Sequence, residues 1–134
     1  MVEALEIGAT GLTAQRIRMD TIANNVLNIN TIENAHGENI PFRRRFVTFQ
    51  PGSPEDPAKP GVRVAKIETD DSPFRKVLEP GSKHADAEGY VLYPNVNLES
   101  EFVNMLEASR AYEANITMME TTKSMISASL RLLA

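Results

Sequence analysis

Side chains able to carry acid–base or nucleophilic chemistry are few in this 134-residue chain, which holds two histidines and no cysteine. Ser82, His84 and Asp86 alternate along one predicted loop, but a catalytic triad brings its base and its orienting carboxylate from separate elements. His84, Asp86 and Glu88 share one face of an extended segment, as metal ligands would. No second ligand cluster accompanies them, so a solvated polar loop is favoured. The sequence predicts no catalytic, cofactor-binding or metal-binding residue, and therefore no enzyme.

Two further motifs favour structural over chemical roles. The acidic pair Asp70–Asp71 is more typical of a turn than of a general acid and base. The segment Gly8–Ala9–Thr10–Gly11 has neither the preceding strand nor the lysine of a phosphate-binding loop. Glycines at these two helical positions instead favour the close approach of a second helix.

One basic run, Arg43–Arg45, stands out from the mixed charges of the chain. In a strand its side chains would alternate between two faces, with Arg44 beside Phe42 and Phe46. A solvated or ion-paired strand face is the favoured interpretation. A contact with an acidic partner, or with an anionic polymer such as cell wall, is the alternative.

Four asparagines, Asn24, Asn25, Asn28 and Asn30, crowd the end of the first predicted helix. Either they cap a frayed helix end, or a buried amide fixes the alignment of packed helices at some cost in stability. The sequence leaves both interpretations open.

Composition and charge disfavour several classes of partner. A net charge of −4 does not supply the clustered positive charge that nucleic acid or an anionic membrane attracts. The longest unbroken apolar run, Tyr90–Tyr93, is far shorter than the ~20 residues of a membrane helix. Glu3 and Glu6 but no basic residue precede Arg16, so we expect no cleavable secretory signal.

Proline and aromatic residues divide the chain into three parts. All eight prolines lie between Pro41 and Pro94, and six of the eight aromatic residues fall in the same stretch. Strand-like segments run from Phe42 to Phe49, from Val62 to Ile67 and from Tyr90 to Tyr93. We therefore predict an N-terminal core helix in residues 1–31, a β-rich middle domain in 32–94 with a Pro-rich loop at 51–60, and a C-terminal core helix in 95–134.

The C-terminal arm is predicted to be one long helix. Apolar residues recur every seven positions from Leu98 to Leu133 without an intervening glycine or proline. Asn97 is a suitable N-cap, and Glu99 and Glu101 lie where the helix dipole favours negative charge.

The N-terminal arm repeats this spacing from Leu5 to Val26, and its helix should end near Asn28–Thr31. A helix from Leu98 to Leu133 would be about 54 Å long, whereas a compact chain of this size is roughly 36 Å across. Because the first arm is too short to cover the second, we expect other chains to cover the remainder.

Several segments resemble one protein family. The first helix carries a motif that resembles the N-terminal motif of flagellar rod and hook proteins, the axial proteins of the bacterial flagellum. The matching residues are Gly11–Leu12–Thr13–Ala14–Gln15, Asp20, Ala23–Asn24–Asn25 and Asn30–Thr31. The rod protein C family of proximal-rod subunits is similar over nearly the whole chain, most specifically at Pro80–Gly81, Asp86–Ala87, Gly89–Tyr90–Val91, Tyr93–Asn97 and Glu107–Ile116.

The resemblance implies an α+β structural subunit of the proximal rod. Its long terminal helices would pair as a coiled-coil-like core, and its small β-rich domain would lie outside, in a helical tube that transmits motor torque and supports motility. Implied partners are other proximal and distal rod proteins and basal-body adapter or export-gate components, with no cofactor, nucleic acid or direct membrane span. The implied location is the periplasmic rod, reached through the flagellar type III export apparatus without a cleaved signal.

Two alternatives remain at this stage: another rod or adapter subunit of the same basal body, or, in a different class, a cell-wall-acting enzyme. Under the favoured interpretation, the apolar residues of both helices form inter-subunit core packing, and five polar residues set the register between helices. The first set is Leu5, Leu12, Met19, Ile22, Val26, Leu98, Phe102, Met105, Tyr112, Ile116, Met119, Ile126 and Leu130; the second is Asn24, Asn25, Asn95, Asn97 and Arg110.

Overall fold

A computed structural model describes residues 2–134 and has the predicted α+β architecture, with two long helices around a small antiparallel β region. The two terminal helices pack against each other, and two separate two-stranded sheets lie between them in sequence. The elements in chain order are α1 (Val2–Leu27), β1 (Arg45–Pro51), β2 (Val62–Thr69), β3 (Arg75–Leu78), β4 (Tyr90–Tyr93) and α2 (Leu98–Leu133).

Helix α2 has the length and the start that the sequence predicts. The Asn97 side chain accepts a hydrogen bond from the backbone N–H of Ser100 at 3.0 Å, which satisfies one of the free donors of the first turn. Glu99 and Glu101 lie in the first turn and Arg131 in the last, so charges at both ends complement the helix dipole. The 36 residues span about 54 Å.

Helix α1 ends where asparagine begins to compete with helical geometry. The Asn28 side chain donates to the backbone carbonyl of Asn24 at 2.8 Å and to its side-chain oxygen at 3.0 Å. Beyond Leu27 the chain continues as a turn. The predicted end of the N-terminal helix near Asn28 is confirmed.

The two helices pair antiparallel along a seam of small residues. A Cβ added at Gly8 would lie 2.7 Å from Cγ of Met119, and one added at Gly11 would lie 2.8 Å from Nδ2 of Asn115. Both distances are shorter than any ordinary carbon contact, so these glycines permit the close approach that the sequence predicts. Extending this register places Val2 beside the turn at 124–125 of α2, so the last turns of α2 extend past the described part of α1.

The middle region consists of two hairpins rather than one sheet. β1 and β2 pair antiparallel from Arg45↔Thr69 to Pro51↔Val62, with an irregularity between Thr48 and Phe49. β3 and β4 pair antiparallel from Arg75↔Tyr93 to Leu78↔Tyr90. The strand β3 is absent from the sequence predictions because only one of its four residues is half-buried, which leaves no alternating apolar signal.

The predicted strand Phe42–Phe49 begins three residues late, at Arg45. The backbone N–H of Phe42 donates to the carbonyl of Thr31 at 2.9 Å, and that of Arg44 donates to the side-chain oxygen of Asn95 at 2.8 Å. These donors are therefore satisfied outside a strand ladder, and the sheet forms only beyond them.

The Pro-rich loop closes the first hairpin and touches α1. Inside the loop, the Ser53 N–H donates to the carbonyl of Lys59 at 3.2 Å. At its base, the backbone N–H of Val62 donates to the Thr10 hydroxyl at 3.1 Å. The α1 helix thus packs against α2 on one side and against the first hairpin on another.

A bulky residue at Gly8 should separate the helices. Gly8→Leu would force its side chain into Met119, and overpacking costs about 1–3 kcal/mol, more than the ~1 kcal/mol of helix propensity gained on replacing glycine. The matched control is Ala9→Leu, an exposed neighbour on the same helix. Thermal unfolding followed by circular dichroism should give a lower melting temperature for the first variant only; equal values would contradict the close packing at Gly8.

Candidate assembly surface and its polar support

A group of five polar side chains joins the end of α1, the residue just before β1, the residue after β2 and the segment from Asn95 to the first turn of α2. We call it the polar joint; it consists of Asn25, Arg44, Asp70, Asn95 and Glu101. The side chains of Asn25 and Glu101 are fully buried. Burying such groups is unfavourable unless each finds a partner, so their contacts decide how the four elements meet.

The carboxylate of Glu101 is the buried charge at the centre of the joint. One oxygen accepts from Nε of Arg44 at 2.5 Å, and the other accepts from the Asn25 side-chain amide at 3.2 Å. Arg44 in turn donates from a terminal nitrogen to Asp70 at 3.2 Å. The pair is therefore neutralised and hydrogen-bonded, as a buried ion pair requires.

The two asparagines of the joint complete the backbone hydrogen bonding where the first sheet stops. The Asn25 side chain accepts from the N–H of Arg45 at 3.0 Å and donates to its carbonyl at 2.7 Å, as a neighbouring strand would. The Asn95 side chain donates to the carbonyls of Asp70 and Ser72, each at 3.0 Å.

Interactions within the joint favour the charged forms of Arg44 and Asp70. Burial disfavours the charge of Arg44, but the hydrogen bonds and charges of Glu101 and Asp70 outweigh burial and raise the Arg44 pKa. The pKa of Asp70 is lowered, chiefly because Ser72 donates both its hydroxyl and its backbone N–H to that carboxylate.

The other two arginines of the basic run also bind within the chain. Arg43 stacks over the Phe74 ring at 4.2 Å and donates to the carbonyls of Asp70 and Ser72. Arg45 lies over the Phe42 ring at 5.6 Å. The ion-paired interpretation of this run therefore describes Arg44, while its two neighbours make cation–π contacts.

The histidine loop is held by an ion-pair cluster. Nε2 of His84 lies 2.6 Å from a carboxylate oxygen of Glu33, and Nζ of Lys83 lies 3.1 Å from the same oxygen. These contacts lower the pKa of Glu33. The cluster ties the loop between β3 and β4 to the segment after α1, so His84 has a specific partner that the solvated-loop interpretation lacks. Within residues 2–134 no group of His, Asp and Glu is arranged to hold a metal ion.

The outer face of α2 exposes apolar side chains near its start. We call this the outer patch; it consists of Leu98, Phe102, Val103 and Leu106. Phe102, Val103 and Leu106 are 56%, 61% and 60% exposed. Single exposed apolar residues are ordinary, but a contiguous group marks an interaction site.

A second exposed apolar group lies at the other end of the same helix. We call it the helix tip; it consists of Leu130, Leu132 and Leu133, which are 62%, 88% and 84% exposed. It belongs to the part of α2 beyond the described length of α1. No helix among residues 2–134 is long and apolar enough to cross a membrane.

The apolar residues predicted for inter-subunit packing fall into three groups in the single chain. Ile22 is buried. Met19 contacts Ser109 of α2, and Met119 packs against Gly8 of α1. Leu98, Phe102 and Leu130 are exposed. The half-buried remainder is Leu5, Leu12, Val26, Met105, Tyr112, Ile116 and Ile126.

The predicted register residues have different environments. Asn25 and Asn95 belong to the polar joint, and Asn97 caps α2. Asn24 is exposed and accepts from the Asn28 side chain, and Arg110 is exposed. Both environments that the sequence left open therefore occur, because Asn25 is a buried amide between the helices and Asn28 hydrogen-bonds the helix end; a role in setting register stays a prediction.

Sequence reasoning missed the Arg44–Glu101 pair, although one signal was present. Counting sevens from Glu101 places Glu101, Ala108 and Asn115 in one row, and this row contains no large apolar residue. That row, and not the row of Phe102 and Leu130, faces α1, since Glu101 and Ala108 are fully buried. A carboxylate in such a row predicts a buried partner.

Two family profiles match the two ends of the chain. The profile of the flagella basal body rod protein family matches residues 5–32, and that of the flagellar basal body rod FlgEFG protein C-terminal family matches residues 87–132. The matched segments therefore contain nearly all of α1, and β4 with nearly all of α2.

Relatives are similar over almost the whole chain. The flagellar basal-body rod protein FlgC of Bacillus subtilis is 39% identical over 92% of this chain and 91% of its own length. The protein of that name from Borreliella burgdorferi is 40% identical, with 99% and 97% covered. The one from Salmonella typhimurium is 37% identical, with 94% and 92% covered.

Removing the buried carboxylate should destabilise the chain. Glu101→Ala leaves Arg44 without its main partner, and breaking a buried pair costs about 3 kcal/mol or more. The control is Glu99→Ala, an exposed glutamate in the same turn, where the loss should stay below about 1 kcal/mol. Urea denaturation measures both. In the double variant Glu101→Ala/Arg44→Ala the loss should be smaller than the sum of the two single losses; additive losses would mean that the pair is not coupled.

Stability should fall in acid because several carboxyl groups have lowered pKa values. Asp86 is one, chiefly because it accepts from the backbone N–H of Tyr90 at 2.9 Å, and Asp70 and Glu33 are others. A lowered pKa in the folded state adds stability above the unfolded value, about 4, that is lost as pH falls through the folded value.

The free energy of unfolding should therefore decrease as pH is lowered from about 5 to about 2. Asp86→Asn keeps an oxygen acceptor but does not titrate, so its decrease should be shallower. Urea titrations at each pH provide the measurement. Parallel curves for the variant and the original chain would show that Asp86 contributes nothing to the acid sensitivity.

Proposed function

The chain belongs to the flagellar basal-body rod protein C family, and from that premise we propose that it is a structural subunit of the proximal rod whose mechanism is assembly. The observation that carries the proposal is the position of the family matches, at residues 5–32 and 87–132. They cover the helix pair, which also holds the apolar surfaces that the single chain leaves exposed.

The helix pair supplies the core of the assembly. Packing between α1 and α2 leaves most of α2 partly exposed, since only Glu101 and Ala108 of α2 are fully buried. A helix gains most of its stability from packing an apolar face, so the half-buried and exposed apolar residues of α2 are expected to gain contacts from neighbouring subunits. This supports the inter-subunit role of Leu98, Phe102, Ile126 and Leu130.

The polar joint fixes how the middle domain is held beside the helices. Arg44 and Asn25 bind Glu101 from two different elements, so α2 cannot turn about its axis without leaving a buried charge unpaired. A rod that transmits motor torque requires such resistance to twist within each subunit. Asn24 and Arg110, which are exposed, remain available for register contacts between subunits.

The partners are other proximal and distal rod proteins, together with basal-body adapter or export-gate components. A contact between different surfaces of successive subunits does not close on itself and generates a helical tube. The absence of cysteine suits passage through the type III export apparatus as an unlinked chain. The subunit would then assemble in the periplasm.

Complementation tests the proposal directly. The chain is expressed in a motile bacterium from which its own rod protein C has been deleted, and swimming in soft agar and purified basal bodies are examined. Recovery of swimming, with this chain in the rod fraction, is the expected result. A chain that is exported but absent from complete basal bodies would contradict the proposed function.

A charge in the uncovered part of α2 should block assembly without unfolding the subunit. Ile126 is half-buried and lies past the described part of α1, and burying the charge of Ile126→Asp in a subunit interface costs several kcal/mol. We expect loss of swimming with export and the helical circular-dichroism signal retained. The matched control is Ser127→Asp, at the exposed neighbouring position. Normal swimming of the Ile126 variant would place this residue outside the interface.

A further inference from the structure

The hairpin of β3 and β4 has one edge that the chain itself fills and one edge that it leaves open. We propose that the open edge, on β3, receives an extended segment of a different basal-body protein, which adds as a third strand and places a carboxylate opposite Lys76. The inference rests on the proposed function and gives the assembled subunit one surface and one kind of partner. Hydrogen bonding, apolar exposure and charge at this edge carry it.

The register of the hairpin decides which backbone groups point outward. The N–H of Glu79 donates to the carbonyl of Gly89 at 2.9 Å, so this pair, directly beyond the end of β3, is hydrogen-bonded. Hydrogen-bonded and non-hydrogen-bonded pairs alternate along an antiparallel ladder. Lys76 and Leu78 therefore belong to non-hydrogen-bonded pairs, and their N–H and C=O groups point away from β4.

Side chains of the same chain fill the corresponding edge of β4. The N–H of Leu92 donates to the side-chain oxygen of Asn39 at 3.3 Å, and its carbonyl accepts from the Asn39 amide at 3.2 Å. The N–H of Tyr90 donates to the Asp86 carboxylate at 2.9 Å, and its carbonyl accepts from the Asp86 backbone N–H at 2.9 Å. These contacts agree with the outward direction of both residues and leave no place for a further strand on β4.

The edge of β3 has no such partners. Among residues 2–134, no group hydrogen-bonds the outward N–H and C=O groups of Lys76 and Leu78. Both residues are exposed, and they lie about 7 Å apart along the strand. An extended strand presents its own backbone groups at the same spacing, whereas a helix uses its groups internally. The open edge therefore selects an extended segment.

An edge of β2 also lacks a partner strand within residues 2–134, but it is less regular. Its register shifts opposite Thr48 and Phe49, so one residue of β2 bulges out of the ladder. The N–H of Val62 at its start already donates to the Thr10 hydroxyl. Bulges turn an edge away from further pairing, whereas β3 keeps a regular register over all of its residues.

Apolar side chains beside the open edge offer the added strand a surface to cover. Leu78 is 59% exposed, and Tyr90, its cross-strand partner on the same face, is 36% exposed. On the opposite face, the half-buried Val77 pairs with the fully buried Val91. Side chains of an added strand would alternate between these two faces. The segment therefore needs apolar residues opposite Val77 and Leu78.

Charge selects the residue opposite Lys76. This lysine is exposed and forms no ion pair with a described residue. Two carboxylates of the hairpin are already engaged, because Glu79 accepts from the Tyr93 hydroxyl at 2.7 Å and Asp86 accepts from the Tyr90 N–H. The charge of Lys76 contributes to the lowered pKa of Asp86 only after that hydrogen bond. Opposite charges at facing strand positions are stabilising, so the added strand carries Asp or Glu there.

The same chemistry disfavours a second copy of β3 as the added strand. β3 contains Arg75 and Lys76 and no acidic residue, so pairing two such edges would bring four cations together. Lysine on an edge strand is a common means of preventing self-pairing. The partner is therefore a different protein, and its segment has three consecutive residues of which the first or last is acidic and the other two are apolar.

Hydrogen exchange at single-residue resolution tests the open edge, on the isolated chain and on basal bodies that contain it. The amides of Lys76 and Leu78 should exchange at least about 100-fold more slowly in basal bodies. The amides of Val77 and Glu79, which point toward β4, are the internal reference and should change less. Unchanged exchange at Lys76 and Leu78, or an equal gain at all four amides, would overturn the inference.

Substitutions on the edge test its role in assembly. Leu78→Pro removes one outward N–H and keeps the bonds to β4, and proline is tolerated at such positions. Because the partner's carbonyl loses its donor, complete basal bodies should be at least about tenfold fewer. The matched control is Ile67→Pro, at an exposed outward position of the β2 edge, and circular dichroism verifies that both variants fold.

The charge is tested at the same edge without altering the backbone. Lys76→Glu should reduce complete basal bodies, whereas Lys76→Arg should retain them, since arginine keeps the positive charge. Normal numbers of basal bodies with both Leu78→Pro and Lys76→Glu would overturn the inference.

Photo-cross-linking in purified basal bodies identifies the partner. Leu78 is replaced by the photoreactive p-benzoylphenylalanine, and the expected product joins this chain to a segment of a different basal-body protein with Asp or Glu beside the linked position. A cross-link to a second copy of this chain, or to a segment without an acidic residue, would overturn the inference. Failure of the unmodified chain to restore swimming would instead count against the proposed function, so the two failures are distinguishable.

Discussion

The structure depends on one buried charge. The carboxylate of Glu101 has no exposed surface, and it is held by Arg44 at 2.5 Å and by Asn25 at 3.2 Å. An unpaired carboxylate at this depth would be strongly unfavourable, so α1, α2 and the residue before β1 can pack together only in the arrangement that brings these three side chains into contact. The hairpin of β1 and β2 is attached to the helix pair at this point, and Asp70 extends the attachment to the end of β2.

The small residues between α1 and α2 allow close helix packing but leave part of the apolar surface of α2 uncovered. Gly8 and Gly11 allow α2 to approach α1 so closely that a methyl group at either position would have to displace the side chain of Met119 or Asn115. Small residues bury little apolar area, and α1 is ten residues shorter than α2, with 26 residues against 36. The pair is therefore fixed in register while much of the apolar surface of α2 stays uncovered, which is the condition a subunit needs in order to assemble with others.

Asparagine side chains in this fold satisfy backbone polar groups that a neighbouring strand would satisfy in a larger sheet. Asn25 and Asn95 satisfy the backbone groups of Arg44 and Arg45, and Asn97 satisfies the first turn of α2. Backbone polar groups removed from water need partners, and two-stranded sheets leave many of them unpaired. A small middle domain can thus be held against two long helices without a large core of its own.

The sequence by itself determined the local features of this protein: both helices with their ends, three of the four strands and the family. These follow from cap residues, apolar periodicity and motifs, which act between neighbours in the chain. Only the tertiary structure decided which side of α2 faces α1, where β1 begins and what Arg44 binds. Arg44 and Glu101 are 57 residues apart, and Phe102 is more hydrophobic than the Glu101 beside it. Local sequence patterns therefore predict that the phenylalanine is buried. The fold buries the glutamate instead, because a distant arginine neutralises its charge and an asparagine hydrogen-bonds it.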